Sequence, residues 1–388
     1  MKGTAVVAHG GGPTAVLNAS LAGLIAEAMQ HPEITSLLGA RSGAKGILEE
    51  DFYDLSTLSA GQLTEIERAP GSVLGSSRRK LDSADFERML RMFQRREIRF
   101  LFYTGGNGSM GTARDIQRFA EAAGYEMRVI GIPKTIDNDL GGTDHTPGYA
   151  SCARFFAYAA RDTGEDNRSL ATPIMLIEVL GRNVGWVVAA TSLARHHDDD
   201  PPHLIYLPEN RLSADKLCTD VERVYRKLGR CVVTVCEGQT DEKGEWYGAD
   251  LGSAPGARDP LPSNLGHVLA RTIWSRTGLR TRCEKPGLVG RASSMLASTV
   301  DRDESRRCGE AAVRAAIAGQ TGMMVGIRRF SDSPYESIMD LVPLEQVAHA
   351  ERPFPKEWIL DGDVAPEFAK WAAPIVGPVP PLPRLEMR

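Results

Sequence analysis

Two carboxylates, Asp137 and Asp139, stand two residues apart behind Lys134 and Thr135 in the run Gly131-Ile-Pro-Lys-Thr-Ile-Asp-Asn-Asp-Leu-Gly-Gly-Thr-Asp-His-Thr-Pro-Gly148. On an extended backbone, residues two apart point to the same side. A pair of carboxylates aimed at one point suits a divalent cation, or a cation together with a proton acceptor. The same residue types also make good turns, so a polar turn after a strand is the competing reading.

Two glycine loops bear on that choice. Gly10-Gly11-Gly12-Pro13 and Gly105-Gly106-Asn107-Gly108-Ser109 each follow a β-branched or aromatic run and precede a helical pattern. Free backbone N–H groups at such a junction can hold an anion. With Lys134 and the carboxylates on one sheet edge, phosphate plus metal is the better joint reading. No Walker lysine follows either loop, and a Gly-x-Gly-x-x-Gly fingerprint with a downstream ribose acid is not evident. A P-loop ATPase and a dinucleotide enzyme are therefore disfavoured.

The elements that must position these loops alternate along the chain. Strands are expected over 4–8, 98–104, 128–132, 174–179 and 231–236, and helices over 14–29, 112–123, 215–228 and 264–274. Alternating strands and helices imply a parallel sheet covered on both faces, with ligands beyond the carboxyl ends of the strands. From about Ser331, prolines at 334, 343, 353, 355, 366, 374, 378, 380, 381 and 383 break any long element. The stretch 331–388 reads as a tail that wraps the body.

Composition narrows the class. The chain has 388 residues, 42% of them hydrophobic, and a net charge of −4. That length suits about two domains. The near balance of charge gives no footing for a nucleic-acid partner. No apolar run approaches membrane-spanning length. Met1 to Ala8 leads straight into glycines without a leader-like pattern, and the six cysteines form no CxxC pair. A cytoplasmic location is the expectation. His196, His197 and Asp198 to Asp200 are metal-binding types, but their spacing suits no single helix face and reads as a solvated loop.

Together these residues resemble the phosphofructokinase family. The likeness rests on Gly10 to Asn18, Leu74-Gly75-Ser76-Ser77-Arg78, Gly105 to Ser109 and Pro133 to Asp139. It continues through Glu178-Val179-Leu180-Gly181-Arg182, Lys285-Pro286-Gly287 with Arg291, and Val342-Pro343-Leu344-Glu345. The resemblance implies an α/β enzyme of two Rossmann-like parallel-sheet domains with the active site in the cleft between them. Residues 1–148 plus about 290–330 would bind the phosphoryl donor, and 149–289 the sugar acceptor. It implies Asp137 as the base, Asp139 and Asn107 as Mg²⁺ ligands, and Thr135 and Lys134 at the transferring group. Gly11, Arg78, Gly106, Asn107, Gly108 and Ser109 would hold ATP or pyrophosphate. Gly181, Arg182, Glu237, Arg282 and Arg291 would hold a sugar phosphate. A homo-oligomer, dimer or tetramer, with some acceptor ligands crossing between subunits, is also implied.

The sequence departs from the family pattern at informative places. Pyrophosphate users typically carry Asp where this chain has Gly108, so the open space there favours ATP. Lys134 is typical of pyrophosphate users, and Asn107 replaces the usual Asp. On the acceptor side, Pro173 stands where an arginine is usual and Leu288 where many members have His. Losing a guanidinium from a phosphate clasp removes a charge-assisted contact, and Arg168, nearby in sequence, is the candidate to replace it. Fructose 6-phosphate is the expected acceptor. Another sugar, sugar phosphate or polyol, a hydrolase, or a non-catalytic binding relative are the alternatives.

Overall fold

The computed structural model describes residues 1–170, 172–248, 264–348 and 350–384. Its principal strands, in chain order, are β1 (Gly3–His9), β2 (Ile34–Ala40), β3 (Phe52–Asp54), β4 (Ile98–Gly105), β5 (Arg128–Pro133), β6 (Ile174–Val179), β7 (Leu204–Tyr206), β8 (Cys231–Cys236), β9 (Thr281–Glu284), β10 (Met323–Asp332) and β11 (Tyr335–Pro343). They form a seven-stranded sheet in the order β11-β10-β5-β4-β1-β2-β3 and a four-stranded sheet in the order β7-β8-β6-β9. The chain divides into two compact units, Met1–Ser151 with Ala292–Arg352 and Cys152–Arg291 with Pro353–Arg388. The α/β architecture with parallel sheets is the one expected from the alternation of elements.

In the first unit the central strands β1, β4 and β5 run parallel and are buried on both faces. Val6, Leu101 and Val129 point into one core, and Val7, Phe100, Phe102 and Ile130 into the other. This alternation is what a sheet covered on both sides requires. The first core is closed by Met89, Met92 and Phe93 of the helix Ser83–Arg95 and by Met110 and Ile116 of the helix Asn107–Ala122. The second is closed by the helices Leu17–Ala28 and Thr299–Ile317. These two pack so closely that a Cβ at Gly309 would overlap the Ser20 carbonyl. Only glycine fits there.

In the second unit Ile174, Leu176, Val233 and Val235 pack against Leu217, Val221 and Val224 of the helix Ala214–Leu228 and against Leu265, Leu269 and Ile273 of the helix Leu265–Thr277. Gly229, in the left-handed conformation (φ 70), ends the first of these helices.

Two expectations are corrected. The residues from 331 onward are not one wrapping tail. The prolines sit where they do no harm: Pro334 lies in the turn between β10 and β11, and Pro343 ends β11, an edge strand. This hairpin belongs to the seven-stranded sheet. Only Pro353 onward joins the second unit, where Trp186 lies 4.9 Å from Phe354 and 5.0 Å from Trp371, centroid to centroid. Beyond the helix Pro366–Val376 the chain is strapped down: Arg154 donates to the Pro378 carbonyl (2.9 Å), Arg161 to Pro380 (3.1 Å) and His196 to Val379 (2.7 Å). The second correction concerns the helix expected from Thr112. It begins at Asn107, because Ser109 and Met110 donate to the Gly106 carbonyl and Met110 is anchored in the core.

No helix among the described residues is long and apolar enough to cross a membrane.

Candidate active site

The first unit brings the two glycine loops and the Lys134 segment together at the carboxyl ends of β1, β4 and β5. The Gly10 N–H donates to the Thr104 carbonyl (2.8 Å), and the Lys134 N–H to Gly105 (3.1 Å). A Cβ at Gly10 or Gly105 would overlap the Ser109 hydroxyl, so these glycines let two loops share one side chain. Gly11 (φ 78) lies under the Lys134 ammonium, which donates to the Gly12 carbonyl at 2.7 Å. Lys134 is 4% exposed, so its charge is fixed at one point. Gly106 precedes the first turn of a 16-residue helix, and the amide groups of that turn face the same edge. A Cβ at Gly108 meets nothing within 4 Å.

The loop of Gly75 to Arg78 reaches this edge through backbone pairing. The Gly11 N–H donates to the Ser77 carbonyl (3.0 Å) and the Ser76 hydroxyl to the Gly11 carbonyl (2.6 Å). Arg79 pairs with Asp85 at 2.8 Å, while Arg78 beside it is exposed.

The carboxylate pair is held differently from the extended geometry expected. Asn138 between them has φ 57, a left-handed conformation that Asn tolerates, so the segment turns. Asn138 is fully buried, and its Oδ1 accepts the Thr146 N–H at 3.0 Å. Thr146 in turn donates its hydroxyl to the Thr135 carbonyl (2.9 Å). The two carboxylates still feel one another. Burial, with the Asp137 charge added, pushes the Asp139 carboxyl up to about 7. Asn107 Nδ2 donates to Asp139 Oδ2 at 2.9 Å, while Asn107 Oδ1 and Asp139 Oδ1 are buried without a hydrogen-bond partner. Two orphaned oxygens beside a raised carboxylate fit a hard cation, whose charge would restore the ionised form. Among the described residues no group of three metal-binding side chains exists. The pair therefore suits Mg²⁺, which takes one or two protein oxygens and completes its shell with phosphates and water.

Behind this loop lies a polar network that the sequence did not announce. Fully buried Asp301 accepts the Gly148 N–H (2.8 Å) and the Ser151 N–H (2.9 Å). His145 bridges Asp144 (2.8 Å) and buried Glu304 (2.6 Å), and Glu304 also accepts from Tyr335 and Ser337 (2.6 Å each). Arg329 and Arg352 face Asp144. Burial alone would lower the His145 pKa, but Glu304 and Asp144 outweigh it and hold it at about 9. A pKa raised above the unfolded value stabilises below about 6.5 and stops doing so as pH rises through 9. The unfolding midpoint is therefore expected to fall between pH 6.5 and 9.5 by on the order of 5 °C more in the wild type than in His145→Gln. Parallel melting curves across that range check this.

In the second unit, the ends of β6 and β8 converge. Gly181 (φ 126) donates its N–H to Glu237 Oε1 (3.4 Å), and the Glu237 N–H donates to the Val179 carbonyl (2.8 Å). A Cβ at Gly238 would overlap the Arg182 carbonyl. Arg182 is exposed and Glu237 half-buried. Glu209, raised by burial, accepts the Gly185 N–H (2.8 Å) and fixes the other end of this loop. Buried Glu178 pairs with Lys285 at 2.6 Å and accepts the Gly266 N–H. Neither Glu209 nor the Glu178–Lys285 pair was read as functional, since nothing in sequence spacing links them.

Arg282 is not brought to this group. It pairs in register with Met175 near the start of β6, and Val179 lies four residue steps further along the strand, about 13 Å. Pro173 precedes β6 and lies about 20 Å from the same end. Arg291 lies in the short helix Leu288–Ala292, where Leu288 is 64% exposed. The Asp198 to Asp200 loop holds no metal-binding group. Asp200 accepts the His196 and His197 N–H groups (2.8 Å each), and Asp199 pairs with Arg384.

At its parallel centre the seven-stranded sheet gathers two glycine loops, a fixed lysine and a carboxylate pair at one edge, an arrangement suited to phosphoryl transfer. Residues 4–316 match the sequence model of the phosphofructokinase family. The chain is 37% identical over 386 residues to the pyrophosphate–fructose 6-phosphate 1-phosphotransferase of Rhodospirillum rubrum, covering 97% of this chain and 95% of that protein. It is 30% identical over 356 residues to the sulfofructose kinase of Alkalicoccus urumqiensis, covering 91% of each. The crystal structure of the pyrophosphate-dependent phosphofructokinase from Marinobacter aquaeolei superposes with a TM-score of 0.88 at 31% identity, over 99% of this chain and 94% of that one. The chain belongs to the phosphofructokinase family.

Proposed function

We propose that the chain transfers the terminal phosphoryl group of pyrophosphate to the 1-hydroxyl of fructose 6-phosphate, with Mg²⁺ bound by Asp139 and Asn107. The observation that carries this is the orphaned oxygen pair of Asn107 and Asp139 beside Asp137 and the fixed Lys134 ammonium. Asp137 takes the proton from the hydroxyl as its oxygen attacks the terminal phosphorus. The bond to the bridging oxygen breaks, and phosphate leaves. Lys134 and the amides at Gly11 and Gly106 to Ser109 receive charge spread over the phosphoryl oxygens, and Arg78 and Thr135 orient the donor. Magnesium, when bound, neutralises donor charge. Gly181, Arg182, Glu237 and Arg291 hold the acceptor. Arg282, too far along the sheet to serve its own chain, is assigned to the acceptor site of a second copy in a homo-oligomer.

The donor is placed against the expectation drawn from Gly108. The space there is open and admits a nucleotide, but the relatives' names weigh toward pyrophosphate, and Lys134 agrees with them. The decisive assay pairs pyrophosphate and ATP with fructose 6-phosphate and other sugars. Gly108→Asp, sterically free, is expected to keep pyrophosphate turnover within threefold and to remove any ATP turnover by more than about tenfold. A wild-type enzyme that uses only ATP overturns the donor assignment.

A second acceptor reading is favoured by Pro173. With one arginine fewer available to a neighbouring copy, the clasp suits an anion of lower charge, such as the sulfonate that the name of the sulfofructose kinase relative indicates. Faster turnover of sulfofructose than of fructose 6-phosphate would select it.

A further inference from the structure

At the carboxyl end of β1, next to the first glycine loop, sits a histidine to which the function above gives no role. His9 is fully buried, and its Nδ1 lies 2.8 Å from the Ser72 hydroxyl. That hydroxyl is already committed, since Ser72 Oγ donates to the Gly75 carbonyl at 2.8 Å. Ser72 Oγ can then only accept from the ring, which fixes His9 as the tautomer with its proton on Nδ1. The other nitrogen, Nε2, is buried with no hydrogen-bond partner. Burial and the Lys134 charge hold the ring neutral, with its pKa down at about 3. A buried acceptor left unpaired is costly. The site keeps a histidine nonetheless.

What the histidine reaches is the segment that carries Arg78. The Ser72–Gly75 turn, closed by the Gly75 N–H to the Ser72 carbonyl (3.0 Å), leads within three residues to Arg78. Asn18 braces the same turn from the other side: its Oδ1 accepts the Val73 N–H (3.0 Å) and its Nδ2 donates to the Ala69 carbonyl (2.9 Å). The Ser42 N–H donates to the Leu74 carbonyl at 2.7 Å. Leu74 is buried in the core and anchors the segment at one point, while Val73 and Arg78 are exposed, so on either side of that anchor polar braces determine its course.

We propose that His9 is a positioning residue for the phosphoryl donor, setting the Ser72–Arg78 segment through its Nδ1–H to Ser72. The proposal rests on the donor role given to Arg78 above. Asparagine offers an N–H near the place of Nδ1, whereas leucine fills the volume and offers none.

Three variants test it: His9→Leu, His9→Asn and Ser72→Ala. In steady-state assays His9→Leu and Ser72→Ala are each expected to raise the KM for pyrophosphate by about tenfold, the scale of one lost buried hydrogen bond. The acceptor KM is expected to stay within twofold. His9→Asn is expected to restore the donor KM to within about threefold, and the double variant His9→Leu with Ser72→Ala to be no worse than either single one. Hydrogen exchange over residues 69–80 is read in the same proteins without substrate. It should quicken in His9→Leu and Ser72→Ala, and not in His9→Asn. Equal rises in both KM values, a failure of asparagine to rescue, or unchanged exchange would overturn the proposal. If the wild type turns over no donor, the proposed function fails, and the exchange pattern still decides whether His9 sets the segment. Ser72→Ala, at a partly exposed position, keeps the test available if a substitution at buried His9 prevents folding.

Discussion

Asp137→Asn is expected to lower kcat by about a thousandfold, with both KM values within about threefold and the unfolding midpoint unchanged. A positioned proton acceptor contributes on the order of 10²–10⁴ in rate, and phosphoryl transfer asks little else of protein groups beyond charge and alignment. The side chain is half-buried, and its backbone N–H, which donates to Thr135 Oγ1 at 3.0 Å, is untouched by the change. Asparagine keeps the shape and loses the acceptor for a proton. The comparison also separates an enzyme from a relative that only binds, because donor binding measured by calorimetry should persist. A kcat within tenfold of wild type would remove Asp137 from the role of base.

The second large effect concerns Arg282. Arg282→Ala is expected to raise the acceptor KM by a hundredfold or more, the scale of a guanidinium lost from the phosphate clasp proposed above. The position of Arg282 level with Met175 makes a sharper prediction. If a second copy receives this arginine, a chain lacking Asp137 and a chain lacking Arg282 complement one another. In a mixed twofold dimer both lesions fall in one site and the other site is intact. Random pairing of co-expressed Asp137→Asn and Arg282→Ala chains should then recover about a quarter of wild-type activity at low acceptor concentration. Either variant alone should stay near background. No recovery in a verified mixed oligomer would mean that Arg282 serves no neighbouring site.

The elements legible in the sequence were those with a dominant local signal. β6 and β8 begin and end where their β-branched and sulfur-containing runs do, because buried parallel strands are continuous apolar stretches. The loops rich in Gly, Lys and Asp were legible because such residues serve few other purposes together. Three things were not. The turn at Asn138 overrode the strand-like spacing of Asp137 and Asp139, since a buried side-chain hydrogen bond to Thr146 decides that conformation. The hairpin of β10 and β11 was hidden by its prolines, which mark its turn and its end rather than the absence of strands. Asp301 and Glu304 lie more than 150 residues from the loop they brace, and no local pattern records a partner so distant.

Each compact unit is assembled from two separated stretches of chain, and that sets a constraint on biosynthesis. A nascent polypeptide that has emerged as far as β5 has Leu21, Leu24 and Ile25 on a helix whose partner, Thr299–Ile317, has not been translated. The strand that pairs with the outer side of β5, β10, arrives later still. The second unit waits longer: Phe354, Phe368 and Trp371, which pack with Trp186, leave the ribosome only after the last stretch of the first unit, Ala292–Arg352. The usual course, in which an N-terminal domain folds as it emerges, is closed to this architecture. The seven-stranded sheet passes through synthesis with an apolar face uncovered, and a chain stopped before the helix Thr299–Ile317 would release neither unit in finished form.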